Sequence, residues 1–237
     1  MQGWFIRYFR TKTLYDYWFL LTRSFRIHRD GKRLLAEIDH DAMKHVQDRY
    51  ASKTRAENPW LRFLKPEENL SREAFRAHRY GMCERGGRNL RHLDLGTGPG
   101  YFCFVCSSYG HETIGVDIEV PLLARVAEVL GVDRRIWTID RECTPPPFSG
   151  KFDVITAFQI GFDGTIGKQP DPWRAEDWER FLTFLLSNHL ADGGRVVITG
   201  VRSCLSSSKF FDPKVVDLLR SRGARVGQGK IEISEWR

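Results

Sequence analysis

The chain has 237 residues, of which 41% are hydrophobic and 28% are charged, so it can form one domain with a sizeable core and an appendage. No apolar run approaches the roughly 20 residues of a membrane-spanning helix. The N-terminus also lacks the order of a secretory signal, which predicts a cytoplasmic protein. The net charge of +7 is uneven, because residues 1–91 carry 20 basic and 11 acidic side chains and the remainder carries 17 and 19.

The five cysteines and seven histidines predict neither a disulfide framework nor a metal site. The cysteines are odd in number and irregularly spaced, and no histidine stands at a metal-ligand spacing. Cys103 and Cys106 form a C-x-x-C pair in an apolar segment with no second pair nearby. We expect both to be buried on one face of a helix.

The first 28 residues interleave nine aromatic side chains with five basic ones. Three interpretations remain open. The segment forms an amphipathic helix on the anionic inner surface of a membrane, or it grips a single-stranded nucleic acid by stacking and charge. In the third, it forms a helix that packs on the rest of the chain or on the second subunit of a homodimer. Apolar residues at helical spacings favour the first and the third interpretation.

Residues 1–68 are predicted to be a helical, basic and aromatic extension that precedes a main domain over residues 69–237. Apolar residues at helical intervals predict a helix over 33–55. Ser71 is predicted to cap a further helix from Arg72 to Glu84.

From residue 90 onward, short β-rich runs alternate with helical patterns. This alternation predicts an α/β fold, a Rossmann-like, doubly wound and mostly parallel sheet with helices on both faces. Strands are predicted at 90–95, 111–117, 135–140, 152–158 and 195–199, with a closing hairpin around 227–229. Helices are predicted at 100–109, 121–130, 175–190 and 212–222.

A glycine loop follows the first of these strands, in the segment from His92 to Gly100. Glycines let the backbone turn sharply and approach a ligand closely, and the amides of the next helix face the same space. The dinucleotide fingerprint needs a glycine where Tyr101 stands, so the pattern here is G-x-G-x-G. Asp94, two residues before the first glycine, suits a cationic amino group better than a pyrophosphate.

The segment from Asp94 to Gly100 resembles the first motif of the class I S-adenosylmethionine-dependent methyltransferases, hydrophobic-x-D-x-G-x-G-x-G. The resemblance extends over residues 90–237. Asp117 ends the second strand 23 positions after Asp94, and the predicted fourth strand is similar to the fourth motif of that family. The resemblance implies S-adenosylmethionine as the cofactor.

The resemblance also implies roles for individual residues. Asp94 is expected near the methionine part of the cofactor, Asp117 on both ribose hydroxyls, and Asp140 near the adenine amino group. Gln159, after the fourth strand, is expected to face the reacting methyl group. The whole predicted cofactor-binding set is Asp94, Gly96, Thr97, Gly98, Gly100, Asp117, Ile118, Asp140, Arg141, Phe158 and Gln159.

The predicted reaction is methyl transfer to a small-molecule, lipid or saccharide acceptor at oxygen. Correct positioning can supply most of the catalysis. For a hydroxyl acceptor, Gln159 is the predicted positioning residue and Asp163 the predicted base, although Asp163 and Gly164 also suit a simple turn. By analogy with the family, the helix over 72–84 closes the pocket or attracts an anionic acceptor; alternatively, it presents a solvated basic face.

Two further hypotheses remain open. The basic N-terminal third is compatible with an RNA methyltransferase, but the sequence shows no RNA-binding module, which argues against nucleic acid as a partner. The chain could instead be a cofactor-binding scaffold that acts through its N-terminal helices at a membrane or on a partner.

Overall fold

Seven strands form one sheet in the computed structural model, which describes residues 14–83, 88–162, 173–199, 212–227 and 230–236, with side chains from residue 23 onward. The strands are β1 (Arg91–Leu95), β2 (Glu112–Asp117), β3 (Arg134–Ile136), β4 (Phe152–Phe158), β5 (Leu190–Thr199), β6 (Arg225–Gly227) and β7 (Lys230–Ile233).

The strand order is β3-β2-β1-β4-β5-β7-β6. The first five strands pair in parallel, and β7 is antiparallel to both β5 and β6. This arrangement confirms the predicted Rossmann-like, mostly parallel sheet. The order reverses between β1 and β4, and the carboxyl ends at such a switch point form the crevice where open α/β sheets bind ligands.

Helices cover both faces of the sheet. They are α1 (Leu14–Ala36), α2 (His40–Arg49), a 3₁₀ helix (Pro59–Leu64), α3 (Pro66–Arg79), α4 (Tyr101–Ser107), α5 (Pro121–Leu130), α6 (Ala175–His189) and α7 (Pro213–Ser221). One core cluster joins the sheet to α6 and α7 through Phe181, Leu185 and Leu219. The other joins it to the remaining helices, with Leu34 and Tyr101 among its buried members. None of the described helices is long and apolar enough to cross a membrane.

The helix predicted over 33–55 is wrong, because two helices meet there. The first, α1, ends at Ala36, and α2 begins at His40. Asp39 caps α2 by accepting a hydrogen bond of 2.9 Å from the amide of Ala42. This cap satisfies an amide that has no partner within the helix.

The helix predicted from Arg72 to Glu84 begins earlier and ends earlier. It is α3, which starts at Pro66, a residue whose ring suits the first turn of a helix. Ser71 therefore lies inside the helix and does not cap it. The predicted boundary between residues 68 and 69 also falls inside α3, and the division of the chain there stays a prediction.

Two strands differ from the prediction by more than one residue at one end. The third ends at Ile136 and not at residue 140, since only three residues pair with β2. The fifth begins at Leu190, because the segment predicted to stop the preceding helix, residues 191–194, belongs to β5. The expectation for Cys103 and Cys106 is confirmed: both are buried on α4 and free.

Candidate functional site

A cavity of about 520 Å³ opens at the carboxyl ends of β1, β2 and β4. Its volume lies within the range of roughly 300–1,000 Å³ that is typical of small-molecule sites. The lining residues come from the glycine loop and the start of α4, from the ends of β2 and β4, from the segment after β3, from α3, and from the 3₁₀ helix. The cavity is therefore at the switch point of the sheet, where the fold predicts a ligand.

The glycine loop needs glycine for two separate reasons. Gly96 has φ +66°, and a Cβ atom there would lie 2.9 Å from Cδ1 of Ile160. Gly100 has φ +90°, and a Cβ atom there would lie 2.6 Å from Cγ2 of Val132. Both the left-handed backbone and the close packing exclude larger residues. Gly96 lines the cavity, whereas Gly100 holds the start of α4 against the segment before β3.

Asp117 and Arg134 together fix the loop to the end of β2. The Asp117 carboxylate accepts hydrogen bonds from the amides of Gly98 (2.6 Å) and Ile118 (2.8 Å). The Arg134 guanidinium donates to the carbonyl oxygens of the same two residues, at 2.8 and 2.6 Å. We call these four bonds the loop clamp. Burial raises the pKa of Asp117, although the two amides and the charge of Arg134 oppose the shift.

Sequence reasoning missed Arg134, which starts β3. Periodicity shows only a polar residue in a short strand, and the two carbonyl groups that it binds lie 36 and 16 residues earlier in the chain. Only the pairing of β2 with β3 brings them together.

Asp94 is buried beneath the glycine loop in a chain of three polar side chains. Its Oδ1 accepts a hydrogen bond of 2.6 Å from the hydroxyl of Thr156, which lies 2.8 Å from Nε2 of His92. The hydroxyl has one proton and donates it to Asp94, so His92 must donate from Nε2. Burial lowers the pKa of His92 to about 3, which keeps the ring neutral. Its Nδ1 has no hydrogen-bond partner among the described residues.

Burial raises the pKa of Asp94 to about 7, although the hydroxyls of Thr156 and Thr97 favour the ionised form. A cationic group placed beside a buried carboxyl with such a raised pKa favours its ionised form and is bound by it.

Two arginines and one glutamate on α3 form the charged wall of the cavity. Glu73 is 4% exposed, and its carboxylate lies 2.8 Å from Nε of Arg72 and 2.8 Å from Nη1 of Arg76. Burial alone raises the pKa of Glu73, but the two arginines outweigh it and the pKa is lowered. The group therefore carries one net positive charge. The Arg76 guanidinium also lies over the ring of Phe158, 4.9 Å from its centroid.

The 3₁₀ helix covers the opposite side of the glycine loop, a contribution that the sequence did not reveal. Its Phe63 ring is 3.3 Å from the position of a Cβ atom on Gly98. The helix is held in place by the hydroxyl of Tyr101, which donates to the Phe63 carbonyl at 2.9 Å, and by Asn69, which donates to the carbonyl of Arg62 at 3.0 Å.

Gln159 directly follows β4 and has φ +60°, a left-handed conformation that non-glycine residues rarely adopt. Its amide donates to the carbonyl oxygen of Thr199 at 2.8 Å, which holds the backbone in place. The side chain is exposed and lines the cavity. Strain of this kind costs about 1–3 kcal/mol and is concentrated at functional sites.

The structure brings most of the predicted cofactor-binding residues together. Those that line the cavity are Asp94, Gly96, Thr97, Gly98, Asp117, Ile118, Phe158 and Gln159. Gly100, Asp140 and Arg141 are not in the lining. Asp140 accepts a hydrogen bond of 3.0 Å from the amide of Thr144, and Arg141 lies 3.4 Å from Asp177. Their roles stay predictions, and so does that of Asp163, which lies outside the described residues.

Comparison with known proteins decides the family. A family model described as a methyltransferase domain matches residues 44–211, more than half of the chain. The chain belongs to this family. It is a class I S-adenosylmethionine-dependent methyltransferase, as its glycine loop and strand order also indicate. No curated protein matches the methyltransferase at a significant level.

Several solved structures are similar in fold to this methyltransferase. A ribosomal protein L11 methylase from Lactobacillus delbrueckii subsp. bulgaricus is 19% identical, with 72% of this chain and 80% of that chain covered and a TM-score of 0.44. The PH0226 protein from Pyrococcus horikoshii OT3 is 16% identical, with 69% and 89% covered and a TM-score of 0.45. The glycopeptide N-methyltransferase MtfA is 12% identical, with 69% and 88% covered and a TM-score of 0.42.

The groups in the cavity match the chemistry of S-adenosylmethionine. Asp94 offers a buried carboxylate for an amino cation, and Asp117 offers two carboxylate oxygens for a ribose diol. Apolar side chains of Ile118, Trp137 and Ile139 also line the cavity and suit an adenine ring. The α3 arginines add positive charge for an anionic group.

Removing the Thr156 hydroxyl is predicted to change how cofactor binding depends on pH. The amino cation of the cofactor favours ionised Asp94, so affinity should increase as the pH is raised through the carboxyl pKa of about 7. Thr156→Val removes a donor that favours the ionised form and should move the midpoint to higher pH. Thr156→Ser keeps the donor and should leave the midpoint in place.

The measurement is calorimetric titration of S-adenosylmethionine over a range of pH. Asp94→Asn serves as the control and should bind weakly with little pH dependence in this range. An unchanged midpoint in Thr156→Val would contradict the role assigned to the Thr156 hydroxyl.

Proposed function

We propose that the enzyme methylates an oxygen atom of an acidic small molecule, lipid or saccharide. The observation that carries this proposal is the charged wall of the cavity, where two guanidinium groups share one carboxylate, that of Glu73. The remaining positive charge is partly buried and would attract an anion. With a neutral or cationic acceptor, only the carboxylate of the cofactor's methionine part would be added to balance this charge.

The state of the carboxyl groups in the cavity also favours an anionic oxygen. Glu73 is paired with two arginines, Asp117 accepts two backbone amides, and Asp94 accepts the Thr156 hydroxyl. The lining residues include no histidine, lysine or cysteine. The described part of the site thus offers no unengaged base, and a carboxylate or phenolate acceptor needs none. A neutral hydroxyl would need one, and Asp163 stays the predicted base for that case.

Each part of the site has a separate task in this proposal. When bound, S-adenosylmethionine supplies an electrophilic methyl group on a positively charged sulfur. Asp94 and Asp117 bind and orient it, and Arg72 and Arg76 hold the anionic acceptor beside it. Gln159 positions the acceptor oxygen, and the methyl transfer then depends mainly on alignment.

The proposal is tested with S-adenosylmethionine labelled in its methyl group and a panel of organic acids, acidic lipids, acidic saccharides and RNA. We expect the label in an acid, as an ester that mild base releases as methanol or as an aryl ether. Label in RNA, or on nitrogen, would overturn the proposal.

Arg76→Gln, compared with Arg76→Lys, tests the charged wall in the same assay. Losing a charged hydrogen bond weakens binding by about tenfold or more. We therefore expect the KM for the acid to increase by this factor in Arg76→Gln, with a smaller change in Arg76→Lys. The KM for S-adenosylmethionine should change much less. A selective loss of cofactor affinity would assign the arginine to the cofactor.

Gln159 is predicted to lower the stability of the fold through its backbone strain and to raise activity through its side chain. Gln159→Gly relieves the left-handed strain and should stabilise the fold by about 1 kcal/mol. Its kcat should fall by about tenfold or more, because the side-chain amide that positions the acceptor is lost. Gln159→Ala loses the amide but keeps the strain, so kcat should fall without a gain in stability. Thermal unfolding and kcat at saturating substrate measure both effects. Full activity in Gln159→Gly would exclude the amide as a positioning group.

A further inference from the structure

The second half of α1 packs on the domain through one stripe. Ile27, Asp30, Gly31 and Leu34 are buried at the i, i+3, i+4 and i+7 positions of a helix face. Ile27 contacts Ala74 and Phe75 of α3. Asp30 bonds His78 of α3, with 2.7 Å between the carboxylate and Nε2. These contacts hold the second half of α1 against α3.

The stripe stops abruptly before Ile27. Arg23 and Ser24 continue it by one turn, at i−4 and i−3 from Ile27, yet both are exposed, and so are Phe25 and Arg26. Every residue of the turn from Arg23 to Arg26 is exposed, so the buried stripe begins at Ile27. The sequence of the first half of α1, residues 14–22, contains seven apolar or aromatic residues out of nine.

The outer face of α1, opposite the buried stripe, is strongly basic. Phe25 is 76% exposed, and Arg26, Arg29 and Lys32 are exposed around it. The single acidic residue in the second half of the helix, Asp30, is buried. Residues 1–36 contain eight basic and two acidic side chains, a net charge of +6, and the whole chain has a net charge of +7. The same segment contains nine of the 30 aromatic residues of the chain.

We propose that α1 binds the enzyme to the surface of an anionic lipid bilayer. Aromatic side chains insert at the level of the lipid headgroups, and lysine and arginine bind the negative surface beside them. The basic residues Arg26, Arg29 and Lys32 meet the headgroups, and the aromatic first half of α1 supplies the inserted part.

Charge and composition favour a bilayer over the other partners. A second copy of the chain, docked symmetrically, would place two basic faces against each other. A single-stranded nucleic acid uses aromatic rings as stacking surfaces, but Leu14, Leu20 and Leu21 stand among these aromatic residues and do not stack on bases. Leucine beside tryptophan and tyrosine is instead typical of a helix at a lipid interface.

The position of α1 relates the bilayer to the cavity. On α3, Ala74 and Phe75 contact α1, whereas Arg72 and Arg76 line the cavity. A bilayer bound to α1 therefore lies about one helix diameter, roughly 10 Å, from the cavity wall. Membrane binding itself does not depend on which acceptor is methylated.

The test is co-sedimentation of the full chain with vesicles of phosphatidylcholine alone and with vesicles that also contain phosphatidylserine. The triple variant R26Q/R29Q/K32Q removes the basic outer face. The matched control K44Q/K65Q/R125Q removes the same charge from exposed residues on other elements. A fluorescent single-stranded RNA, titrated at the same ionic strength, serves as the competing partner.

We expect binding to the anionic vesicles only, weakened by salt and reduced about a hundredfold in the α1 variant, since each basic residue contributes about fivefold. The control should retain most of the binding. No vesicle binding, tighter binding to RNA than to vesicles, or an equal loss in both variants would overturn the proposal. Thermal unfolding of each variant verifies that it is folded.

Discussion

The loop clamp is the interaction on which the rest of the site depends. Left-handed glycines give the loop after β1 its shape, but they also make it the most adaptable part of the backbone. The clamp removes this freedom because a carboxylate binds the amides, and a guanidinium the carbonyls, of Gly98 and Ile118. The clamp thereby joins the glycine loop to the end of β2, the two segments on either side of the cofactor cleft.

Other groups take their positions from this clamped loop. Phe63 packs over Gly98 and Ile160 packs against Gly96, so the 3₁₀ helix and the segment after β4 both contact the loop. Asp94 lies beneath the loop and is held by Thr156 of β4. From the far side, α3 adds two arginines that share Glu73. The result is a cavity with an acidic floor and a basic wall, which suits a ligand carrying both charges and an anionic acceptor.

Much of this site could be predicted from the sequence because its signals are local. Asp94, the spacing of the glycines, and Asp117 at the end of a β-rich run all lie within one strand-loop-helix-strand unit. The alternation of β-rich runs with helical patterns also predicted the mostly parallel sheet. The exact ends of elements were harder, since the break between α1 and α2 depends on a side-chain cap at Asp39, and β3 ends where pairing with β2 stops.

Long-range contacts account for what the sequence could not reveal. Arg134 and Phe63 act on groups that are far away along the chain, and no periodicity marks them. The left-handed conformation of Gln159 is likewise imposed by a bond to Thr199 on the neighbouring strand. Asp140 and Arg141 follow a strand that ends early and are not among the lining residues, and their roles stay predictions.

The most direct test of the loop clamp is calorimetric titration of S-adenosylmethionine into Arg134→Gln and, as a matched control, Arg135→Gln. Arg135 is the next residue of β3, and its guanidinium bonds Asp133 and the Pro147 carbonyl, away from the loop. We predict that Arg134→Gln binds about tenfold or more weakly, because two charged hydrogen bonds to the loop are lost, while Arg135→Gln binds like the unaltered enzyme. Equal affinity of Arg134→Gln and the unaltered enzyme would contradict the clamp as the basis of the cofactor site.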